Sequence, residues 1–300
     1  MASFPEFTVI MTTYNRAHLL TRAVESVLSQ TLRDFELLVI DNGSTDATRE
    51  VVRSISDDRV AYVRNPRPTD SCDGPRNLGI EMARGKLIAF LDDDDIWYPE
   101  RLAKVKAAFD AHPEAIAVCH DEHRNVNGRI EGVLRYGPWS DDLHERLLYE
   151  RNCLSSCGTT VRVEVLRRLG GFDLRREISG AGDYDMWIRM TEDGSRVFFL
   201  NEPLGEFSLT GANASSVDAA FGEKVALVVR THLIRHEKRP FFMLSKTAMW
   251  RLFKLYAFAG KSYLKRGRNI QGVVCVGRAS LLVARRPSLV LELSARRSHE

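Results

Sequence analysis

The sequence predicts an α/β protein in which a mostly parallel central sheet is flanked by helices and followed by a helical C-terminal extension. Between residues 7 and 95, apolar runs of strand length alternate four times with segments of helical periodicity, joined by short connections. Such alternation is typical of a parallel sheet covered by helices on both faces. From Glu223 onward the pattern becomes helical and basic, and this change predicts the extension.

The first two strands and their helices are the clearest elements. Residues 7–11 form a β-branched apolar run that ends in polar residues, and apolar side chains then recur at helical spacing up to Leu28. Residues 35–40 predict a second buried strand that ends in the turn-forming "DNGSTD". The next helix is expected to take Ser44 or Asp46 as its N-cap, because both side chains accept backbone N–H groups.

The alternation continues for two more strands and then changes. "RVAYVRN" predicts a strand, "PRNLGIEMARG" a helix closed by Gly85, and "KLIAFL" a fourth strand. Further on, "AIAVCH" predicts a strand, "EHRNVNGRIEG" a hairpin turn and "GDYDMWIRMTEDG" a helix. "SRVFFLNEPLGEF" predicts edge strands, and the small polar residues 211–222 are the best linker candidate.

The charge of the chain is unevenly distributed. Its 300 residues are 44% hydrophobic and 28% charged, which is ordinary for a soluble globular protein. The net charge of +3 combines an acidic body with a tail, residues 221–300, that carries 17 Lys and Arg against 4 Asp and Glu. Such a tail is usually a solvated helical face, although it can also bind anionic lipid or an acidic polymer.

The sequence also favours one cellular compartment. Five cysteines without framework spacing indicate free thiols in a reducing environment. "MASFPEF" lacks a signal-peptide pattern, and Arg278 interrupts a late apolar stretch that is shorter than the ~20 residues needed to span a bilayer. We therefore expect a cytoplasmic protein, either free or peripheral on the inner face of the plasma membrane.

Three polar clusters, "TTYNR", "DNGSTD" and "DDDD", each follow a predicted strand. In open parallel sheets, ligands bind beyond the carboxyl ends of the strands. We therefore expect these three clusters to lie together around one binding crevice.

Four adjacent acids, Asp92 to Asp95, follow the fourth strand. Their mutual repulsion beside an apolar core calls for a cation. Mg²⁺ or Mn²⁺, held by one or two carboxylates together with phosphate oxygens, fits that chemistry. The alternative is a solvated loop in which an acid such as Asp95 caps the following helix.

The phosphate-binding motifs of other nucleotide-binding classes are missing. The sequence has no G-x-x-x-x-G-K-[ST] loop, and no G-x-G-x-x-G follows the first strand. A bound nucleotide diphosphate would therefore depend on the metal and on a basic side chain. Arg76, at the start of a predicted helix, is the candidate, and a surface ion pair is its alternative role.

Two further groups of residues offer binding or catalytic chemistry. Thr12, Tyr14, Asp41 and Asn42 end two neighbouring strands, where an aromatic ring can stack on a nucleobase and amide or carboxylate groups can bind its edge; ordinary turn chemistry is the alternative. Asp183 follows a glycine-rich stretch at a helix start, where it can serve as a general base or simply as an N-cap.

Taken in order, these segments resemble glycosyltransferase family 2, whose members are inverting enzymes with the GT-A fold of nucleotide-diphospho-sugar transferases. The resemblance rests on "VIMTTYNR", "SVLSQT", "FELLVIDNGSTD", "RNLGIEMARGKLIAFLDDDDIWYP" and "GDYDMWIRM", and covers roughly residues 7–210. It implies metal-dependent transfer of a sugar, from a UDP-sugar by preference, to an acceptor hydroxyl in bacterial surface polysaccharide or glycoconjugate synthesis.

The resemblance also implies roles for individual residues. Thr12 and Tyr14 should contact the nucleoside, and the pair Asp41–Asn42 should bind the base. Asp92 to Asp94 match the family's D-x-D element, with Asp94 on Mn²⁺ or Mg²⁺ and Asp93 near the ribose. Asp183 matches the catalytic base.

Three positions depart from the family pattern. Asn42 stands where many members have a second acid, so uracil recognition would rest on a weaker acceptor. Gly182 stands where many members carry Glu beside the base. Thr210 stands where a His would contribute to the metal or diphosphate site.

The resemblance suggests a division into regions and leaves partners open. Residues 1–215 would form the catalytic domain, with a nucleotide-binding half of about 1–110 and an acceptor-binding half of about 111–215; residues 216–300 would be the basic helical region. Residues 223–300 could contact an anionic membrane, which would suit a lipid-linked saccharide acceptor, or pack on the protein or in a homodimer. No nucleic-acid partner is expected.

Two other functions compete with sugar transfer. A nucleotidyltransferase also uses acids and Mg²⁺ on an α/β sheet, but would carry a glycine-rich triphosphate loop that "TTYNRAHLL" lacks. A non-catalytic sugar-nucleotide-binding subunit is supported only by the missing His.

Overall fold

The computed structural model describes residues 4–209 and 220–284. The strands are β1 Phe7–Thr13, β2 Phe35–Asp41, β3 Val60–Arg64, β4 Leu87–Asp92, β5 Ile96–Trp97, β6 Ala115–Val126, β7 Arg129–Leu134, β8 Thr159–Arg162 and β9 Arg196–Leu209. The α-helices are α1 Ala17–Leu28, α2 Thr48–Arg53, α3 Asp73–Met82, α4 Arg101–Ala111, α5 Leu143–Tyr149, α6 Val163–Arg168, α7 Gly182–Thr191, α8 Phe221–Glu237, α9 Lys246–Lys265 and α10 Asn269–Ala284. Short 3-10 helices cover Arg176–Ile178 and Phe241–Met243.

The strands form one mixed sheet in the order β3-β2-β1-β4-β8-β6-β9-β5, and β7 pairs with β6. The first four strands are parallel, which confirms the predicted class. Thr12 pairs in register with Asp92, and Thr13 pairs with Asp41. The polar strand ends therefore meet at one edge of the sheet, as the sequence predicts.

Alternate residues of β1 enter two separate apolar layers. Val9 and Met11 pack with α1 and α4, whereas Ile10 packs with α3 and with the helices that follow β8. This burial on both faces explains the continuous apolar runs, because such strands have no solvent-facing side.

The C-terminal helices are built onto this body. Val229 of α8 and Leu252 of α9 are fully buried in the same apolar cluster as Trp187 of α7. Ile270 and Val273 of α10, by contrast, are 79% and 65% exposed. None of the described helices combines the length and the hydropathy needed to cross a bilayer.

Three local predictions were wrong. The predicted edge strands form one 14-residue strand, β9, which lies between β6 and β5. The helix α2 has Ala47 at its N-cap, although Asp46 accepts the Thr48 N–H at 3.0 Å. The helix α3 ends at Met82, and Gly85 instead allows close approach to β1, since a Cβ there would lie 2.4 Å from the Thr8 nitrogen.

Candidate active site

A cavity of about 860 Å³ lies at the carboxyl ends of β1 and β4. It is lined from segments 12–16, 68–76, 92–95, 154–157 and 180–183, with Asn42, Tyr136, Phe207 and Phe221. Eight of the nine predicted site residues line it: Thr12, Tyr14, Asn42, Arg76, Asp92, Asp93, Asp94 and Asp183. The ninth, Asp41, does not.

Arginine side chains neutralise the acid cluster. Arg16 Nη1 lies 3.0 Å from Asp93 Oδ1 and 2.9 Å from Asp94 Oδ2. Arg76 Nη2 lies 2.8 Å from Asp92 Oδ1. Charge-assisted hydrogen bonds of this kind explain how adjacent carboxylates are tolerated beside an apolar core.

Burial still disfavours charge on this cluster. It raises the pKa of Asp93 to about 6, although Thr13 and Arg16 oppose the shift. Burial and repulsion from Asp92 likewise raise the pKa of Asp94. An additional cation near these carboxylates would therefore be stabilising.

The donor atoms fit a divalent cation with oxygen ligands. Arg76 contacts Oδ1 of Asp92, whose side chain is 37% exposed, so this carboxylate is accessible from the cavity. Asp95 Oδ2 is buried without a hydrogen-bond partner among the described residues. Ligand atoms of Asp92, Asp95 and Cys157 lie within 4.8 Å of one another. Because Mg²⁺ and Mn²⁺ prefer carboxylate oxygens to a thiol sulfur, Asp92 and Asp95 are the suitable ligands of this group.

Asp95 has a structural partner far along the chain. It is not the N-cap of α4, a position held by Glu100. Its Oδ1 instead accepts the Ser208 N–H at 2.7 Å, which joins the acid cluster to β9.

The predicted base-binding pair is engaged in loop contacts. Asp41 accepts N–H groups from Gly43 and Ser44 and the Tyr62 hydroxyl at 2.6 Å. Asn42 donates to the Thr69 carbonyl at 2.8 Å, which fastens the segment that lines the cavity. These contacts are turn and loop chemistry, and base binding by either residue stays a prediction.

Arg76 is not in a surface ion pair. Its side chain is 5% exposed, and its guanidinium carbon lies 5.7 Å from the Phe90 ring and 5.6 Å from the Phe172 ring. These rings hold a buried cation at the cavity, where it contacts Asp92.

Asp183 lies in the first turn of α7, whose N-cap is Ala181, so the N-cap alternative is wrong. Its Oδ1 accepts the Tyr184 N–H at 2.7 Å, and its Oδ2 accepts the Ser156 hydroxyl at 3.3 Å. Burial raises the pKa of Asp183, although the charge of Arg76 opposes the shift. A carboxylate with a raised pKa at a cavity wall is suited to accept a proton.

Sequence reasoning missed several residues of this cavity. Arg16 directly follows the "TTYN" segment at the end of the first strand, and this position could have indicated that it lies in the cavity. Asp73 is 1% exposed, and a Cβ on Gly182 would lie 2.5 Å from Asp73 Oδ1. Ser156 and Cys157 belong to a loop for which the sequence offered no constraint. Thr210, one of the three departures, lies outside the described residues.

This combination of sheet topology and acidic cavity is that of a GT-A glycosyltransferase. A model of glycosyl transferase family 2 matches residues 8–170. The chain belongs to this family, and its reaction class is glycosyl transfer.

Curated relatives of the chain act in bacterial glycan synthesis, according to their names. A glycosyl transferase of Escherichia coli named for colanic acid biosynthesis, WcaA, is 28% identical over 278 residues, 87% of this chain and 91% of the relative. The UDP-Glc:alpha-D-GlcNAc-diphosphoundecaprenol beta-1,3-glucosyltransferase WfgD of Escherichia coli is 42% identical over 94 residues, 31% of this chain. The chain covers 37% of WfgD.

Solved structures share the fold at low sequence identity. TarS of S. aureus in complex with UDP-GlcNAc gives a TM-score of 0.59 at 17% identity and covers 91% of this chain and 90% of its own. The mannosyltransferase PcManGT from Pyrobaculum calidifontis, in complex with GDP-Man and Mn²⁺, gives a TM-score of 0.57 at 18% identity, covering 99% of this chain and 81% of its own.

Proposed function

We propose that this protein is a metal-dependent inverting glycosyltransferase that moves a sugar from a UDP-sugar to a hydroxyl of a lipid-linked saccharide, in the synthesis of a bacterial surface polysaccharide or glycoconjugate. One observation carries the proposal. A single cavity joins the carboxylates of Asp92 to Asp94, the buried cation of Arg76 and the desolvated carboxylate of Asp183. These are the groups that a diphosphate leaving group and an attacking hydroxyl require.

The residues divide the reaction between them. Asp94, with Asp92, would hold Mn²⁺ or Mg²⁺, which supplies charge stabilisation to the departing nucleoside diphosphate. Arg76 adds a fixed positive charge at the same end, and Asp93 is assigned to the ribose. Asp183 accepts the proton of the acceptor hydroxyl, whose oxygen attacks the anomeric carbon from the face opposite the leaving group and so inverts it.

The choice of donor and acceptor draws on similar proteins. TarS was solved with UDP and with UDP-GlcNAc, and WfgD is named for UDP-Glc and a diphosphoundecaprenol-linked acceptor. PcManGT, with GDP-Man, makes guanine the alternative base. Thr12, Tyr14 and the Asp41–Asn42 pair are proposed as the nucleoside and base contacts.

The proposed acceptor suits a peripheral, cytoplasmic protein. Ile270 and Val273 of α10 are exposed, as are Lys261 and Lys265 of α9, so these two helices together offer apolar and basic side chains to an anionic membrane. Co-sedimentation with anionic vesicles, weakened by salt and missing with neutral vesicles, supports this contact. A homodimer through α10 is the alternative and would show in the molar mass in solution.

The division at residue 215 is also kept as a proposal. The boundary lies between the two described ranges, 4–209 and 220–284. Because Val229 and Leu252 are buried against the body, we expect truncation before residue 220 to destabilise residues 1–215.

The decisive experiment is thermal stabilisation by UDP, GDP, dTDP and CDP, each with and without Mn²⁺. Stabilisation by UDP that requires Mn²⁺, and that is lost in Asp94→Asn but kept in the surface control Asp110→Asn, supports the proposal. Selective stabilisation by GDP would reassign the donor. No stabilisation of folded protein by any nucleotide contradicts it and favours a role without sugar-nucleotide turnover.

A further inference from the structure

The backbone on both sides of Arg16 is fastened to the loop after β2. The N–H of Asn15, a residue with a φ of 53°, donates to Ser44 Oγ at 2.9 Å. On the other side, the Ala17 N–H donates to Asp46 Oδ2 at 3.0 Å. Arg16 is therefore held at the cavity edge by its neighbours, whatever its side chain contacts.

The Arg16 side chain contacts Asp94, the carboxylate that is expected to bind the metal. Its Nη1 is shared between Asp93 Oδ1 and Asp94 Oδ2, whose side chains are only 5% and 7% exposed. An oxygen that accepts a hydrogen bond from a guanidinium cannot give the same lone pair to a divalent cation. Two cations at this distance would also repel each other.

Arg16 and Arg76 differ in how firmly they are enclosed. Arg76 is 5% exposed and lies between two phenylalanine rings. Arg16 is 29% exposed and reaches the acids from the rim of the cavity. Of the two, Arg16 is therefore the one that can change partners without repacking the core.

Building on the proposed function, we propose that Arg16 is an internal counter-cation of Asp93 and Asp94 that a divalent cation displaces, and that the displaced guanidinium then binds the diphosphate of the donor. Metal entry and donor binding are thereby coupled through one side chain. In the exchange the metal takes the Asp94 carboxylate and the guanidinium takes the phosphate oxygens, while Asp93 becomes available to accept a ribose hydroxyl.

The test measures two affinities in the full-length protein. Mn²⁺ binding without nucleotide is followed by electron paramagnetic resonance, and UDP binding at saturating Mn²⁺ by calorimetry. In Arg16→Gln, Mn²⁺ should bind roughly ten-fold more tightly because its competitor is gone, whereas UDP should bind roughly ten-fold more weakly. Arg16→Lys, which keeps the charge, should lie between this variant and wild type.

The matched control is Arg22→Gln, which removes the same charge from a 67% exposed position on α1. A shift in the control as large as in Arg16→Gln would overturn the proposal, because general electrostatics would then explain both. Unchanged or weaker Mn²⁺ binding in Arg16→Gln would also overturn it, as would tighter Mn²⁺ binding with unaltered UDP affinity. Distortion of the site would weaken both ligands, so opposite shifts separate exchange from damage.

The same data separate this proposal from the proposed function. If wild type binds Mn²⁺ and UDP but Arg16→Gln does so equally well, only the role of Arg16 fails. If neither protein binds Mn²⁺ even with UDP present, both proposals fail.

Discussion

The two walls of the cavity treat their carboxylates differently. On the wall that follows β4, Asp92, Asp93 and Asp94 each contact an arginine. On the wall formed by the start of α7, Asp183 makes no salt bridge within the described ranges and accepts only hydrogen bonds from neutral groups. A carboxylate paired with one cation is suited to bind another cation in its place. A desolvated carboxylate without an ion pair is suited to accept a proton.

The same contrast recurs within a single helix. Asp183 and Asp185 are two residues apart on α7, and burial acts on both. For Asp185 the effect of burial is outweighed by the hydrogen bond from His232 and by Arg189, so its pKa is lowered. For Asp183 burial prevails, and its pKa is raised. We therefore expect Asp183 to act in catalysis, as proposed, and Asp185 to act in stability.

The largest effect is expected from Asp183→Asn. The amide keeps an oxygen for the Tyr184 N–H but cannot accept the proton, so the transfer rate should fall roughly 10²–10⁴-fold. Single-turnover transfer from a UDP-sugar to an acceptor that the wild-type protein uses measures the rate, with UDP affinity as the control. Near-normal transfer with intact donor binding would show that the two walls do not differ in function.

Asp185→Asn should instead act on stability. It leaves Arg189 and His232 without their buried carboxylate, which should lower the free energy of unfolding by about 3 kcal/mol. Urea denaturation measures the loss, while transfer by the folded variant should stay near the wild-type rate. The exposed pair Arg168–Asp193 provides the control, since Asp193→Asn should cost under about 1 kcal/mol. A catalytic loss like that of Asp183→Asn would contradict this division.

Gly182→Ala tests the junction between the two walls. An added Cβ would lie 2.5 Å from Asp73 Oδ1, so the substitution should destabilise the fold by about 1–3 kcal/mol. The double variant with Asp73→Ala should recover part of this loss in the same denaturation measurement. Gly277→Ala is the control, because nothing lies within 4 Å of its added methyl group and it lies inside a helix. Equal effects at both glycines would mean that Asp73 does not fill the space beside Asp183.

The sequence predicts one of these walls far better than the other. Strands buried on both faces have continuous apolar runs, which the sequence shows directly. The ends of these runs predict that Thr12, Asp92 and Asp94 lie at one edge of the sheet, and this prediction does not require the directions of their side chains. The pairing of Arg16 with Asp94 spans 78 positions and depends on the path of a long side chain. No local pattern encodes that path.

The wall at α7 is harder to predict because distant segments build it. Ser156 reaches Asp183 from a loop between α5 and β8, and Asp73 fills the space above Gly182 from α3. The sequence indicated chemistry at Asp183 but not burial, and burial is what raises its pKa. Asp41 differs in the opposite way. The family pattern assigned it to the base, but its carboxylate accepts hydrogen bonds within the turn that follows β2.

The smallest expected effect is a pH dependence of stability, which should have opposite signs for Asp183 and Asp185. The lowered pKa of Asp185 means that its stabilisation is complete above the unfolded value of about 3.9 and is lost as the pH falls through the folded pKa. The raised pKa of Asp183 means that the protonated form is favoured, so stability is lost as the pH rises above about 3.9 through the folded pKa.

The two asparagine variants should therefore diverge as the pH changes. Relative to wild type, Asp185→Asn should become less destabilising as the pH falls below about 4, whereas Asp183→Asn should become relatively more stable as the pH rises from about 4 to 7. Urea denaturation of the three metal-free proteins, from below about pH 4 up to about pH 7, measures both trends. Parallel trends in the two variants would show that burial of Asp183 and ion pairing of Asp185 do not shift their pKa values in opposite directions. The contrast between the two walls would then have no physical basis.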